Sequence, residues 1–265
     1  MLEIQKTDIK NIIKNSFRFL IFEWKLFVIV LGFYIFRNFT NGSYSYTGNE
    51  SNQLLYEVVV SGISRNIFYL LFWVGIIPLI ILAVKEYLTK QQRISFKKDM
   101  IIRYFVPLFA YQFLFSVLDF LISRVSALAT FNLILMPEPV IRIFFVFLSL
   151  FGFILGFIFF LAPVIIVLEN KTFIDGTKKS FGIISNKFKE SVAFYLILVI
   201  IIGFLFLPAN IKFWYQIITG IEFIIPGFNY LQLIFASGWF IFYIAAIVGF
   251  YLSISEERRF GAKNQ

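Results

Sequence analysis

Six apolar stretches, at residues 17–36, 66–84, 104–124, 142–168, 192–207 and 231–254, are separated by loops alternately rich and poor in Lys and Arg. Most hold about 20 residues, the length an α-helix needs to cross a hydrocarbon core of roughly 30 Å. In lipid every backbone polar group must find a partner within the protein, and runs this long and apolar do so as helices. The expectation is an all-α membrane protein: six transmembrane helices as three hairpins, forming a single integral membrane helical domain over 1–265.

Composition agrees, since 60% hydrophobic and 21% aromatic residues exceed what an ordinary soluble surface carries. The net charge of +9 sits in loops beside the apolar stretches. There it sets orientation and meets anionic headgroups, which argues against a nucleic-acid partner. The chain holds no Cys and no His. Disulfides, thiol nucleophiles, imidazole bases and the usual zinc or haem ligands are therefore missing together, and no metal or cofactor is expected. The opening Met-Leu-Glu-Ile-Gln-Lys-Thr-Asp lacks the order of a cleaved signal peptide, so the first span should remain.

The basic residues decide topology. Lys6, Lys10 and Lys14 precede the first stretch, and Lys85, Lys90, Arg93, Lys97, Lys98 and Arg103 follow the second. Lys171, Lys178, Lys179, Lys187 and Lys189 follow the fourth, and Arg258, Arg259 and Lys263 follow the sixth. The opposite side has only Arg37, Arg65, Arg124, Arg142 and Lys212. The positive-inside rule then puts both termini in the cytoplasm of a cell-membrane protein. The long polar outer loop, 38–64, carries sequons at Asn38, Asn41 and Asn49, a combination that Asn- and Ser-rich sequence also supplies by chance. Trp214, Tyr215 and Tyr230 mark a segment at the outer interface.

A basic amphipathic interfacial helix is expected over 172–189 on the cytoplasmic side. Ile174, Thr177, Phe181, Ile184 and Phe188 recur at helical spacing, with Lys171, Asp175, Lys178, Lys179 and Lys189 opposite. Thr172 and Asp175 have the spacing of a capping box. A second such helix, over 4–16, sets Lys6, Lys10, Lys14 and Arg18 beside Ile9, Ile13, Phe17 and Leu20. Both contain a Lys-x-Ser-Phe element, Lys14-Asn-Ser16-Phe17 and Lys178-Lys-Ser180-Phe181, and 94–100 is a weaker third copy. Three units follow, each an interfacial helix plus two spans, unless the short similarities are coincidence.

The series Pro163, Glu169-Asn170, Gly176, Lys179-Ser180-Phe181, then a basic turn and a new span, resembles polytopic membrane families related to the membrane domain of glycerophosphodiester phosphodiesterases. These include small stand-alone proteins of unknown function. The resemblance covers about 161–198, with an echo over 8–28. It implies a helical membrane architecture and no phosphodiesterase activity, because no catalytic domain accompanies it.

Few residues carry chemistry. Asp119 is the one acid well inside an apolar run, and Gln112, Ser116, Asp119 and Ser123 fall near one helical stripe. Asp119 reads either as a proton- or substrate-binding carboxylate or as an ion-pair partner of Arg124 and Arg142, and the ion pair is favoured because both Arg flank the same loop. Glu23 and Lys25 read as an interfacial bend. Glu169, Lys179 and Ser180 form an inner-surface motif, with Glu169 a structural cap. Pro78, Pro107, Pro163 and Pro208 read as kinks. Gly152 with Gly156, and Ala245 with Gly249, allow close helix approach, and the first pair would suit a homodimer.

No phosphate loop, Ser-x-x-Lys nucleophile or paired intramembrane carboxylates occur, so catalytic residues are expected to be none. The function expected is a non-enzymatic lipid-interacting scaffold or membrane-complex subunit, with membrane lipids and anionic inner-leaflet headgroups as partners and a homo-oligomer or membrane-protein partner open to it. The alternative is a transporter or channel for a lipid-like or small solute along the stripe around Asp119.

Overall fold

Capping side chains and one proline set several of the helix starts and breaks among the described residues. The computed structural model describes the backbone of residues 8–42, 51–93, 98–131, 138–205 and 228–263, and side chains at 8–36, 70–93, 99, 101–114, 116–117, 147, 150–204 and 231–255. Helix α1 (Ile9–Phe22) is opened by Asp8, whose carboxylate accepts the Asn11 N–H at 3.1 Å. It ends at Glu23, and α2 (Trp24–Gly42) leaves at a bend of 78°. Helices α3 (Ser51–Lys90) and α4 (Lys98–Phe131) run through Pro78 and Pro107.

Helix α5 (Glu138–Phe159) breaks at Phe160-Leu161, and α6 (Ala162–Glu169) restarts with Pro163 in its first turn. Proline supplies no N–H to the carbonyl four residues back, so the ladder cannot run through. Asn170, left-handed at φ 55°, stops α6. Helix α7 (Phe173–Asn186) is capped by Thr172, whose hydroxyl accepts the Asp175 N–H at 3.2 Å and donates to the Asp175 carboxylate at 2.8 Å. One non-helical residue, Lys187, separates it from α8 (Phe188–Leu205), and α9 (Phe228–Lys263) follows. No strand occurs among the described residues.

Three helical segments are long and apolar enough to cross a membrane: Leu70–Lys90, Leu150–Glu169 and Leu231–Ser255. The bent pair α1–α2 makes a fourth if counted as one span, and Ile101–Leu114 is a shorter apolar helix. The described residues thus form an all-helical chain with three to four candidate spans.

Several boundaries differ from the sequence reading. Helix α1 runs through Phe22, so 17–22 belong to the same helix as 9–16 and not to α2. Helix α7 stops at Asn186 and α8 opens at Phe188, ahead of the expected start at 192. The stretch 142–168 is two helices and not one. Helix α2 continues to Gly42 and α3 starts at Ser51, which makes most of the polar stretch 38–64 helical. Hydropathy reports which solvent surrounds a residue, whereas backbone hydrogen bonding continues until a cap or proline stops it. The third copy, 94–100, lies partly outside the described residues, and from Lys98 the helix continues into α4.

The chain divides into two compact units. In the first (Met1–Asn49, Ile80–Ile94, Lys187–Gln265), α9 packs against α1, α2 and α8. Phe194 and Phe250, both fully buried, stack at 4.2 Å with planes 2° apart. Phe17 meets Phe242 at 4.4 Å, and Phe19 and Phe22 both contact Tyr87. In the second (Glu50–Leu79, Ser95–Asn186), α6 packs against α7, with α4 and α5 beside them.

Candidate functional site: two docked amphipathic helices

Helices α1 and α7 are built to one plan. Set so that Ser16 meets Ser180, the caps Asp8 and Thr172 coincide, as do the breaks Glu23 and Lys187. Three buried positions coincide as well: Ile12 with Gly176, Ser16 with Ser180 and Phe19 with Ile183. Helix α1 buries Ile12, Ser16 and Phe19, and α7 buries Gly176, Ser180, Ile183 and Ile184. This docking face shares only Ile184, 3% exposed, with the apolar stripe. Ile174, Phe181 and Phe188 are 58%, 56% and 58% exposed, and Phe17 is 46% exposed. Each helix therefore presents one face to the protein and keeps a second, aromatic and aliphatic face uncovered.

The α7 dock is the more polar of the two. At Gly176 an added Cβ would stand 2.6 Å from Ile166 Cγ1, so only glycine lets α6 approach this closely. The Ser180 hydroxyl, fully buried, donates to the Ile158 carbonyl at 2.8 Å, just ahead of the break between α5 and α6. Pro163 leaves the Phe159 carbonyl without its helical donor, and the Tyr111 hydroxyl of α4 reaches it at 3.4 Å. Glu169 receives Lys179 Nζ on both carboxylate oxygens, at 2.6 and 2.5 Å. Arg103 Nε donates to the Asn170 side-chain oxygen at 2.7 Å. Glu169, Lys179 and Ser180, grouped from sequence, thus stand together around one helix break. Glu169 pairs with Lys179, and Thr172 is the side chain that caps α7.

The α1 dock has a different closure. Gly249 of α9 lies beneath Ile12, where an added Cβ would stand 3.1 Å from Ile12 Cγ2. The large and small partners are thus exchanged relative to Gly176 and Ile166. Ser16 donates to the Ile12 carbonyl of its own helix at 2.8 Å. A cavity of about 90 Å³ remains, lined by Ile12, Asn15, Ser16, Phe19, Val84, Leu88, Ala245 and Gly249. At the elbow, Arg93 donates to the Phe22 carbonyl at 3.2 Å and lies 5.2 Å from the Phe22 ring centroid. A cation there faces the negative end of α1. Glu23, in the junction ahead of α2, is only 5% exposed.

The remaining sequence candidates are placed as follows. Gln112 and Ser116 are half-buried one turn apart on α4. Asp119, Arg124 and Arg142 lie on α4 and α5 with side chains outside the described residues. Gly152 and Gly156 are half-buried on α5, where Phe147, Leu150, Phe151 and Ile154 are exposed. Ala245 is buried and, with Gly249, faces α1. The side chains of Asn38, Asn41, Ser149 and Tyr230, like Asn49, Pro208, Trp214 and Tyr215 entirely, fall outside the description. Sequence reasoning did not place Tyr111 or Arg93 at helix-end carbonyls, although the proline four residues after Phe159 is a signal that something must reach that carbonyl. Among the described residues, no group of three or more carboxylates gathers as a metal site would need.

Comparison with known proteins adds no relative: no family model matches the chain, and neither a curated protein nor a solved structure does.

Proposed function

We propose that the chain is a multi-pass cell-membrane protein of six spans, with both termini in the cytoplasm, that works without chemistry of its own. In this reading it is a lipid-interacting scaffold or the subunit of a membrane complex. The observation that carries it is the two-faced character of α7. Its Gly176, Ser180 and Ile183 are buried, while Ile174, Phe181 and Lys178 are exposed together. A helix anchored by one face and uncovered on an aromatic, basic face suits the boundary between acyl chains and anionic headgroups. Helix α1 repeats the arrangement with Phe17, Ile21, Lys14 and Arg18 exposed. The kinship with the membrane domain of glycerophosphodiester phosphodiesterases belongs to this reading as architecture only.

A second reading, passage of a lipid-like or small solute, is favoured by the half-exposed Gln112 and Ser116 one turn apart on an apolar helix. Thiol labelling in intact cells separates the two, and the absence of native Cys makes each replacement clean. A membrane-impermeant maleimide applied outside should label Asn49→Cys and leave Gln112→Cys and Ser149→Cys untouched. Labelling of both Gln112→Cys and Ser149→Cys would reveal a water-filled path and favour transport. An unlabelled Asn49→Cys would overturn the orientation.

A further inference from the structure

The cavity under α1 has a place in the fold that fits one class of ligand. Its walls come from three elements: Ile12, Asn15, Ser16 and Phe19 on α1, Val84 and Leu88 near the end of α3, and Ala245 and Gly249 on α9. Leu88 lies just before Lys90, where the apolar segment of α3 ends, and Gly249 is six residues ahead of Ser255, where that of α9 ends. At 1.5 Å per residue that is about 9 Å from the end of the span, the depth at which acyl chains give way to ester groups and headgroups. Helix α1 lies across these ends, turned 78° from α2.

The lining is apolar apart from the Asn15 amide and the Ser16 hydroxyl, and the Ser16 hydroxyl already donates within its own helix. Asn15 is half-exposed. Arg18, exposed one turn after Asn15 on α1, and Lys85, one turn before Leu88, add positive charge beside the lining. Charge of that sign suits an anion, and the apolar floor suits hydrocarbon. The 90 Å³ holds about three groups of water or methylene size, too few for a whole lipid and enough for the start of one chain. In the second unit the comparable dock is closed, with Ile166 against Gly176 and Lys179, the counterpart of Asn15, paired with Glu169.

We propose that this cavity is a site for one anionic phospholipid: an ester carbonyl accepts from the Asn15 amide, the first methylenes of that chain enter between Ala245 and Gly249, and the phosphodiester lies toward Arg18 and Lys85. The site rests on the lipid-interacting reading above and specifies where the contact is made.

The test is native mass spectrometry of the full chain purified in detergent and titrated with phosphatidylglycerol or phosphatidylcholine. The wild type should retain one phosphatidylglycerol in preference to phosphatidylcholine. Ala245→Val, which fills the floor, should weaken that first binding by about tenfold. Asn15→Ala, at a half-exposed position where folding is less at stake, should weaken it by about fivefold. Arg18→Gln with Lys85→Gln should abolish the preference between the two lipids while leaving a weak first site. Retention of phosphatidylglycerol at wild-type strength by folded Asn15→Ala and Ala245→Val would overturn the pocket and leave lipid contact to the exposed faces of α1 and α7. No preference for phosphatidylglycerol in the wild type would overturn the lipid-interacting reading itself.

Discussion

Three buried serines carry the same hydroxyl into different surroundings, and their replacement should have three different results. Ser180 donates to the Ile158 carbonyl beside a helix break. Ser180→Ala leaves that acceptor without its hydroxyl donor and should cost about 1–3 kcal/mol in unfolding free energy. Ser16 donates to a carbonyl of its own helix four residues back, where the backbone already supplies a partner. Ser16→Ala should therefore cost about 1 kcal/mol or less. Ser191 of α8 is fully buried and, among the described residues, its oxygen is the one buried side-chain polar atom without a hydrogen bond. Ser191→Ala should raise stability by about 1 kcal/mol, because a desolvated hydroxyl is removed at nearly constant volume. Denaturation of the three variants in mild detergent checks the order. An equal loss from all three would mean that the hydroxyls act through packing alone.

At the scale of the element, α7 is held by how closely it approaches α6. Gly176→Ala places a methyl 2.6 Å from Ile166 Cγ1, near the branch of a fully buried side chain that has little room to yield. Overpacking of this kind costs about 1–3 kcal/mol, and the melting temperature should fall. Gly182 on the same helix has nothing within 4 Å of an added Cβ. Gly182→Ala should therefore stabilise α7 by about 0.5–1 kcal/mol through helix propensity. A fall for both would show that α7 is limited by something other than its approach to α6.

The elbow between α1 and α2 is tied by Arg93, which donates to the Phe22 carbonyl and lies over the Phe22 ring. Arg93→Ala removes both contacts and should cost about 1 kcal/mol in unfolding free energy in mild detergent. Arg93→Lys keeps the charge and should recover part of that loss. Equal losses from the two variants would assign the effect to the guanidinium geometry alone.

For the whole molecule, the apolar stripes and the docking faces differ in how legible they were. Six hydrophobic runs, the basic loops, the Thr172–Asp175 cap and the exposed apolar residues Ile174, Phe181 and Phe188 all stand in the sequence, since each is written in hydropathy, charge or local spacing. The bend at Glu23 could be read too, from two charged residues early in an apolar run. The thiol-labelling pattern tests what this reading asserts about orientation, because it depends on the same loop charges. The break at Phe160-Leu161 was only half legible: Pro163 announced a kink, but not that Ser180 and Tyr111 would reach the carbonyls around it.

The sequence by itself determined the helical membrane character, the amphipathic segments and the paired Lys-x-Ser-Phe elements. Tertiary structure alone decided that Ile12, Ser16 and Phe19, with Gly176, Ser180 and Ile183, are the docking faces, and that Ile166 fills one dock while a cavity stays open beside Gly249. The reason is physical. Hydropathy marks residues that avoid water, and in lipid the uncovered and the packed face can both do so. Which face packs depends on how closely two backbones can approach, and glycine and serine allow that approach without leaving a hydropathy signal.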